Sequence, residues 1–226
     1  MDVEILYRPS YALAVVSLDP GEPIQAEAGA MVSMSPGMEV VTAAKGGLMG
    51  ALKRSFLGGE SFFMNTYRAP GQAGQITLAP PLPGDMAVVE MSGDTLMVQS
   101  GSYVASAEGI TVDTKWSGAK TFFAREGLIM LRCSGSGTLV LSSYGAIHEL
   151  ELAPGESQIV DTGHLVAFTE GMGFDVRRVG GMKSTLFSGE GLVVDLTGPG
   201  RAYLQTRSDD AFLSWLIPRL PRERHE

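Results

Sequence analysis

Pro20-Gly21-Glu22, Pro83-Gly84-Asp85 and Pro154-Gly155-Glu156 are three occurrences of one turn pattern, spaced 63 and 71 residues apart. A second glycine follows each, at Gly29, Gly93 and Gly163, and a third at Gly37, Gly101 and Gly171. Between the second and third glycines lie apolar runs such as AMVSM, DTLMVQ and HLVAF, and beyond them MEVVTA, SYVASA and MGFDVRRV. The order continues with a glycine break (Gly46-Gly47, Gly118, Gly180-Gly181), a lysine (Lys53, Lys120, Lys183) and an acid (Glu60, Glu126, Glu190). A further apolar run closes each copy: SFFMNTY, GLIMLRC and GLVVDLT. One Pro-Gly step says little. The same ordered series three times says that the chain contains three related units.

Proline presets φ and glycine accepts φ > 0, so Pro-Gly-acid is a turn. Glycines about eight residues apart leave room for strands of about five or six residues. The runs are rich in Val, Met, Phe, Leu and Thr, and GTLVLSSYG and HELELAPG alternate apolar with polar residues. Both features suit half-buried strands. The expected fold is all-β, with three units around an approximate threefold axis: 1–79, 80–149 and 150–207. Units of that size bury little alone, so a core shared between them is expected.

Helix is expected in two kinds of place. Short corner pieces fit 47–55, 118–124 and 181–187. A longer helix fits 208–217, with Ser208 as its cap, Asp209 and Asp210 in its first turn and Pro218 at its end. Phe212, Leu213, Trp215 and Leu216 are expected to face the β core. Residues 208–226 thus form a C-terminal helix and tail.

Composition removes several functions. Lys+Arg is 17 against Asp+Glu 25, a net charge of −8. That balance opposes general nucleic-acid binding, which needs clustered cations. One cysteine, Cys133, forms no internal disulfide. The N-terminal stretch MDVEILYRPS does not read as a secretory leader, and no apolar run reaches membrane-spanning length. The expectation is a cytoplasmic protein.

GGLMGALKRSFLGGESFF (46–63), VDTGHLVAF (160–168) and QTRSDDAFLSWLIPRLP (205–221) resemble the altered-inheritance-of-mitochondria family, whose bacterial members are of unknown function. The resemblance runs nearly end to end. It implies a fold like that of the tryptophan RNA-binding attenuation protein: double-stranded β-helix units, here triplicated in one chain. It implies no chemistry, and the basic ring that binds RNA in the attenuation protein has no counterpart in an acidic chain.

Candidate sites are few. The three histidines, His148, His164 and His225, contain no His-x-His pair, so no metal centre or other cofactor is expected. Asp161 and His164, in VDTGH, read first as an Asx-type turn and second as an acid–histidine pair for a ligand. The triplicated Lys…Glu pairs read as structural, since a single-chain enzyme needs one site. Cys133 reads as a small buried hydrophobe. The segment 46–59, GGLMGALKRSFLGG, lacks the Gly-Lys-Ser/Thr ending of a phosphate loop. Leu48, Met49, Leu52, Lys53, Arg54 and Phe56 read either as a packed turn or as a contact surface for a subunit or a membrane-associated partner. The leading expectation is a non-enzymatic, self-assembling scaffold or binding module, a homo-oligomer with no nucleic acid. The alternative is a small-molecule-binding protein or enzyme with its site between units.

Overall fold

Asp19-Pro20-Gly21-Glu22 and Ala153-Pro154-Gly155-Glu156 form matching turns in the computed structural model, which describes residues 1–41, 63–113, 129–178 and 192–221. In each, glycine has φ near +80°. The glutamate N–H donates to the carbonyl three residues back. The glutamate carboxylate accepts the N–H of that same residue, Asp19 or Ala153, at 2.9 Å. The acid in the pattern thus braces its own turn.

Strands leave these turns in both directions. The first stretch holds β1 (Asp2–Leu6), β2 (Leu13–Leu18), β3 (Pro23–Glu27), β4 (Met31–Met34), β5 (Glu39–Val41), β6 (Met64–Arg68) and β7 (Gly74–Leu78). The middle holds β8 (Met86–Gln99), β9 (Tyr103–Ala107), β10 (Ile110–Asp113) and β11 (Met130–Ser142). The last holds β12 (Ile147–Leu152), β13 (Ser157–Asp161), β14 (Leu165–Thr169), β15 (Gly173–Arg178), β16 (Leu192–Thr197) and β17 (Gly200–Gln205), followed by α1 (Asp209–Leu216). Among the described residues the chain is all-β apart from this helix and single 3-10 turns.

Pairing is antiparallel throughout the strand ladders and follows one scheme. In the first stretch β7 lies between β2 and β4, and β6 between β3 and β5. In the last, β17 lies between β12 and β14, and β16 between β13 and β15. In the middle, two long strands serve both layers. Residues 136–142 of β11 lie between the first part of β8 and β9, and residues 130–134 between the second part of β8 and β10. Register shifts recur as well. Val32 is skipped where β4 meets β7, Val104 where β9 meets β11, and Val166 where β14 meets β17.

Two further ladders join the stretches: β3 with β9, and β8 with β14. They create one continuous sheet in the order β12-β17-β14-β8-β11-β9-β3-β6-β5. The core follows these junctions. Val104 and Ala105 of β9 pack with Ile24, Ile76 and Leu78, and Met97 of β8 packs with Leu165, Val194 and Leu196.

Two expectations change. Gly93 is not the counterpart of Gly29 and Gly163. It interrupts the pairing midway along β8, the place held by Gly21 and Gly155, while Gly101 falls between the second and third strands as Gly29 and Gly163 do. Glycines recur about every eight residues, so the spacing fits equally well after a slip of one strand. Pro83-Gly84-Asp85 lies instead in the link before β8. There Gly84 bridges Gly145, and a Cβ on Gly84 would sit 1.7 Å from the Ser143 carbonyl oxygen. Secondly, α1 forms where expected, with Ser208 accepting the Ala211 N–H, but none of its residues is buried. The strands close the core without it. The corner pieces 47–55, 118–124 and 181–187 lie outside the described residues, as do the Lys…Glu pairs.

Candidate functional site

Asp161 ends β13, and its Oδ1 accepts the Gly163 N–H at 2.8 Å, which caps the 3-10 turn 162–164. His164, at the end of that turn, places Nδ1 2.7 Å from the Gln205 carbonyl oxygen. A carbonyl only accepts, so Nδ1 carries the proton. The Gln205 side chain donates to the Gly163 carbonyl at 2.8 Å and accepts the Tyr144 N–H at 2.9 Å. Asp161 and His164 each hold a main-chain partner, and together they brace a turn against β17.

Leu48, Met49, Leu52, Lys53, Arg54 and Phe56 lie outside the described residues. Cys133 is buried in β11 between Leu96 and Val112. Burial pushes its thiol up to about 12, whereas a nucleophilic cysteine needs its thiolate. Among the described residues no cluster of three or more His, Cys, Asp or Glu is placed for a metal ion. There too, every fully buried side-chain nitrogen or oxygen has a hydrogen-bond partner. No helix among them is long and apolar enough to cross a membrane.

Two of the edge strands, β4 and β13, differ from their counterparts in the pairing scheme, which are covered on both sides. β9 and β14 are each flanked on both sides, and all but their last residues are buried. β4, which occupies the same place in the pairing scheme, has β7 on one side and, among the described residues, no partner strand on the other. Val32 is 59% exposed, against 1% for Val104 and 0% for Val166. Met31 and Met34 are exposed beside it. β13 is the complementary case. β3 and β8 each gain a second neighbour from the next stretch, whereas among the described residues β13 has only β16, and Ile159 is 56% exposed. An unpaired strand edge presents a row of N–H and C=O groups ready to pair. Neither strand carries Lys or Pro, the usual blockers of such an edge.

A second apolar surface lies on α1 and the turn after it. Phe212, Leu213, Trp215, Ile217 and Leu220 are exposed. Phe212 touches the Tyr144 ring edge-on at 6.1 Å, and the Arg219 guanidinium lies over Trp215 at 4.7 Å.

Sequence reading missed Met31, Val32, Met34 and Ile159. They look like ordinary strand residues, and their exposure follows only from which strands find neighbours.

These features define an all-β protein whose open chemistry is that of strand edges and apolar contact. The chain belongs to the family described as mitochondrial biogenesis AIM24, whose model matches residues 3–207. It is similar to an uncharacterized protein of Streptococcus pyogenes serotype M6, 26% identical over 219 residues, covering 93% of this chain and 88% of the relative. It also resembles the crystal structure of another Streptococcus pyogenes protein at 25% identity, with a TM-score of 0.80, covering 97% of this chain and 99% of the other.

Proposed function

We propose that this chain is a non-enzymatic scaffold or binding module that assembles with itself. Its three stretches act as double-stranded β-helix units of one triplicated domain, as their common pairing scheme and recurring register shift support. The observation that carries the assembly is the burial contrast between Val32 and its counterparts Val104 and Val166. A strand whose counterparts are covered is itself left bare and apolar. Burying a Val, Met or Ile side chain contributes about 1.5–3 kcal/mol before ordering costs, and covering the edge satisfies its main-chain groups as well. Oligomerisation is a general way to close such edges.

The remaining parts of the reading come from the sequence. The protein acts in the cytoplasm and does not bind nucleic acid. Leu48, Met49, Leu52, Lys53, Arg54 and Phe56 serve a subunit or membrane-associated protein partner. Multi-angle light scattering tests the central point. The expected mass is a multiple of 23.9 kDa at micromolar concentration. A 23.9 kDa particle across the accessible range would remove the assembly reading.

A further inference from the structure

The protein already contains, twice over, the junction that β4 and β13 lack. Where β3 meets β9, Ala26 lies opposite Ala105, Gln25 opposite Ser106 and Ile24 opposite Ala107. Where β8 meets β14, Val98 lies opposite Ala167, Met97 opposite Phe168 and Leu96 opposite Thr169. Counting β2, the first part of β8 and β12 as the first strand of each stretch, both junctions are antiparallel and join a second strand (β3, the second part of β8) to a third strand (β9, β14). The pairings inside each stretch fix the correspondence between positions. Ala26, Val98 and Val160 face Asn65, Leu131 and Val194 on the fifth strand of the scheme. Ser33, Ala105 and Ala167 face Thr77, Val140 and Tyr203 on the sixth. The chain has one second strand left over, β13, and one third strand left over, β4.

We infer that a second copy of this chain fills both edges: β13 of one copy pairs antiparallel with β4 of the next. Val160 then lies opposite Ser33, Ile159 opposite Met34 and Gln158 opposite Ser35. This assignment rests on the self-assembly reading and specifies its geometry. The chemistry matches at the positions that matter. Ile159 and Met34 are both exposed and apolar. They meet at the place where Met97 meets Phe168, a pair buried within the chain. Cross-strand apolar pairs of this kind stabilise antiparallel ladders. At the same register position the β3–β9 junction pairs Gln25 with Ser106, and the flanking Gln158 and Ser35 are polar where the internal junctions pair Ile24 with Ala107 and Leu96 with Thr169.

The two edges differ, so the contact is heterologous. Each copy gives β13 to one neighbour and takes β4 to another, and the chain of copies closes into a ring if its rotation allows. Closure within one chain is the rival geometry. Among the described residues no strand ladder links 1–79 to 146–221, and their one shared core cluster brings Met64 beside residues of the middle and last stretches.

Cysteine cross-linking separates these cases, because the only native thiol, Cys133, is buried. Directly opposed residues of an antiparallel pair lie about 4.5–5.5 Å apart at Cα, within disulfide range. Full-length Met34→Cys and Ile159→Cys proteins are prepared separately, mixed and oxidised. The expected result is a reducible two-chain species in the mixture and none from either variant alone. The pair Ser35→Cys and Gln158→Cys repeats the test should one of the first variants fail to fold. Failure of a folded pair to cross-link, while the wild-type protein is oligomeric by light scattering, overturns the edge assignment and leaves self-assembly standing. A wild-type monomer overturns both. Cross-linking of either variant with itself overturns the heterologous geometry. A disulfide within single chains of the Met34→Cys/Ile159→Cys double variant shows closure inside one copy, and also overturns it.

Discussion

Cys133 shows how burial sets chemistry at the residue scale. Its thiol is pushed up to about 12 from an ordinary 9.0. Between those values only the unfolded chain loses the proton, so the unfolded state binds fewer protons there and stability falls as pH rises. The fall is at most about 1.4 kcal/mol per pH unit. Urea denaturation of wild type and Cys133→Ala at pH 8 and pH 10 checks it: the stability advantage of wild type narrows at the higher pH. The folded protein should also resist thiol alkylation at pH 8 and react fully in urea. Asp85 offers a second test. Its carboxylate is buried and receives Arg8 Nε and Nη2 at 2.8 and 3.0 Å, together with the Met86 N–H at 2.9 Å. Arg8→Ala removes both guanidinium bonds from a buried carboxylate and is expected to cost about 1.5–3 kcal/mol by urea denaturation. Arg8→Lys, which cannot form the same fork, recovers only part. The Asx reading of VDTGH was legible because Asp161 acts on a residue two positions away. The link from His164 to Gln205 spans 41 residues, and no local pattern announces it.

At the scale of elements, glycine marks places where backbones meet as well as turns. A Cβ on Gly84 would collide with the Ser143 carbonyl, whereas one on Gly71 would meet open space. Gly84→Ala is therefore expected to lower the melting temperature strongly. Gly71→Ala should leave it nearly unchanged. The cap, the acidic first turn and the proline stop made α1 legible, but its packing was not. Amphipathic residues near the end of a chain look the same whether they cover the core or remain exposed. Truncation after Arg207 should keep the far-UV β spectrum and cooperative melting, because no residue of α1 is buried. Loss of the folded state on truncation would show that the contact of Phe212 with Tyr144 holds the last strands. The slip of Gly93 has the same origin as the mistaken packing of α1. Local turn chemistry recognises a unit's parts, while pairing alone decides which part is which.

For the whole molecule, the all-β class was legible because turn glycines and strand-like runs recur over the full length. The open edges of β4 and β13 were not, since an edge is a relation between strands far apart in sequence. Net charge −8 predicts no appreciable binding of single-stranded RNA at physiological salt. Saturable, salt-sensitive retention of RNA in a filter assay at micromolar protein would contradict that. Self-assembly through strands makes a more direct demand on the main chain. The amides of β4 and β13 must exchange slowly when copies are paired and rapidly when they are apart. Hydrogen–deuterium exchange across a dilution series of the full-length protein measures this, with β9 and β14 as covered controls. The account predicts protection of residues 31–34 and 157–161 that falls on dilution while β9 and β14 stay protected. Rapid exchange of both edges at every concentration would contradict it.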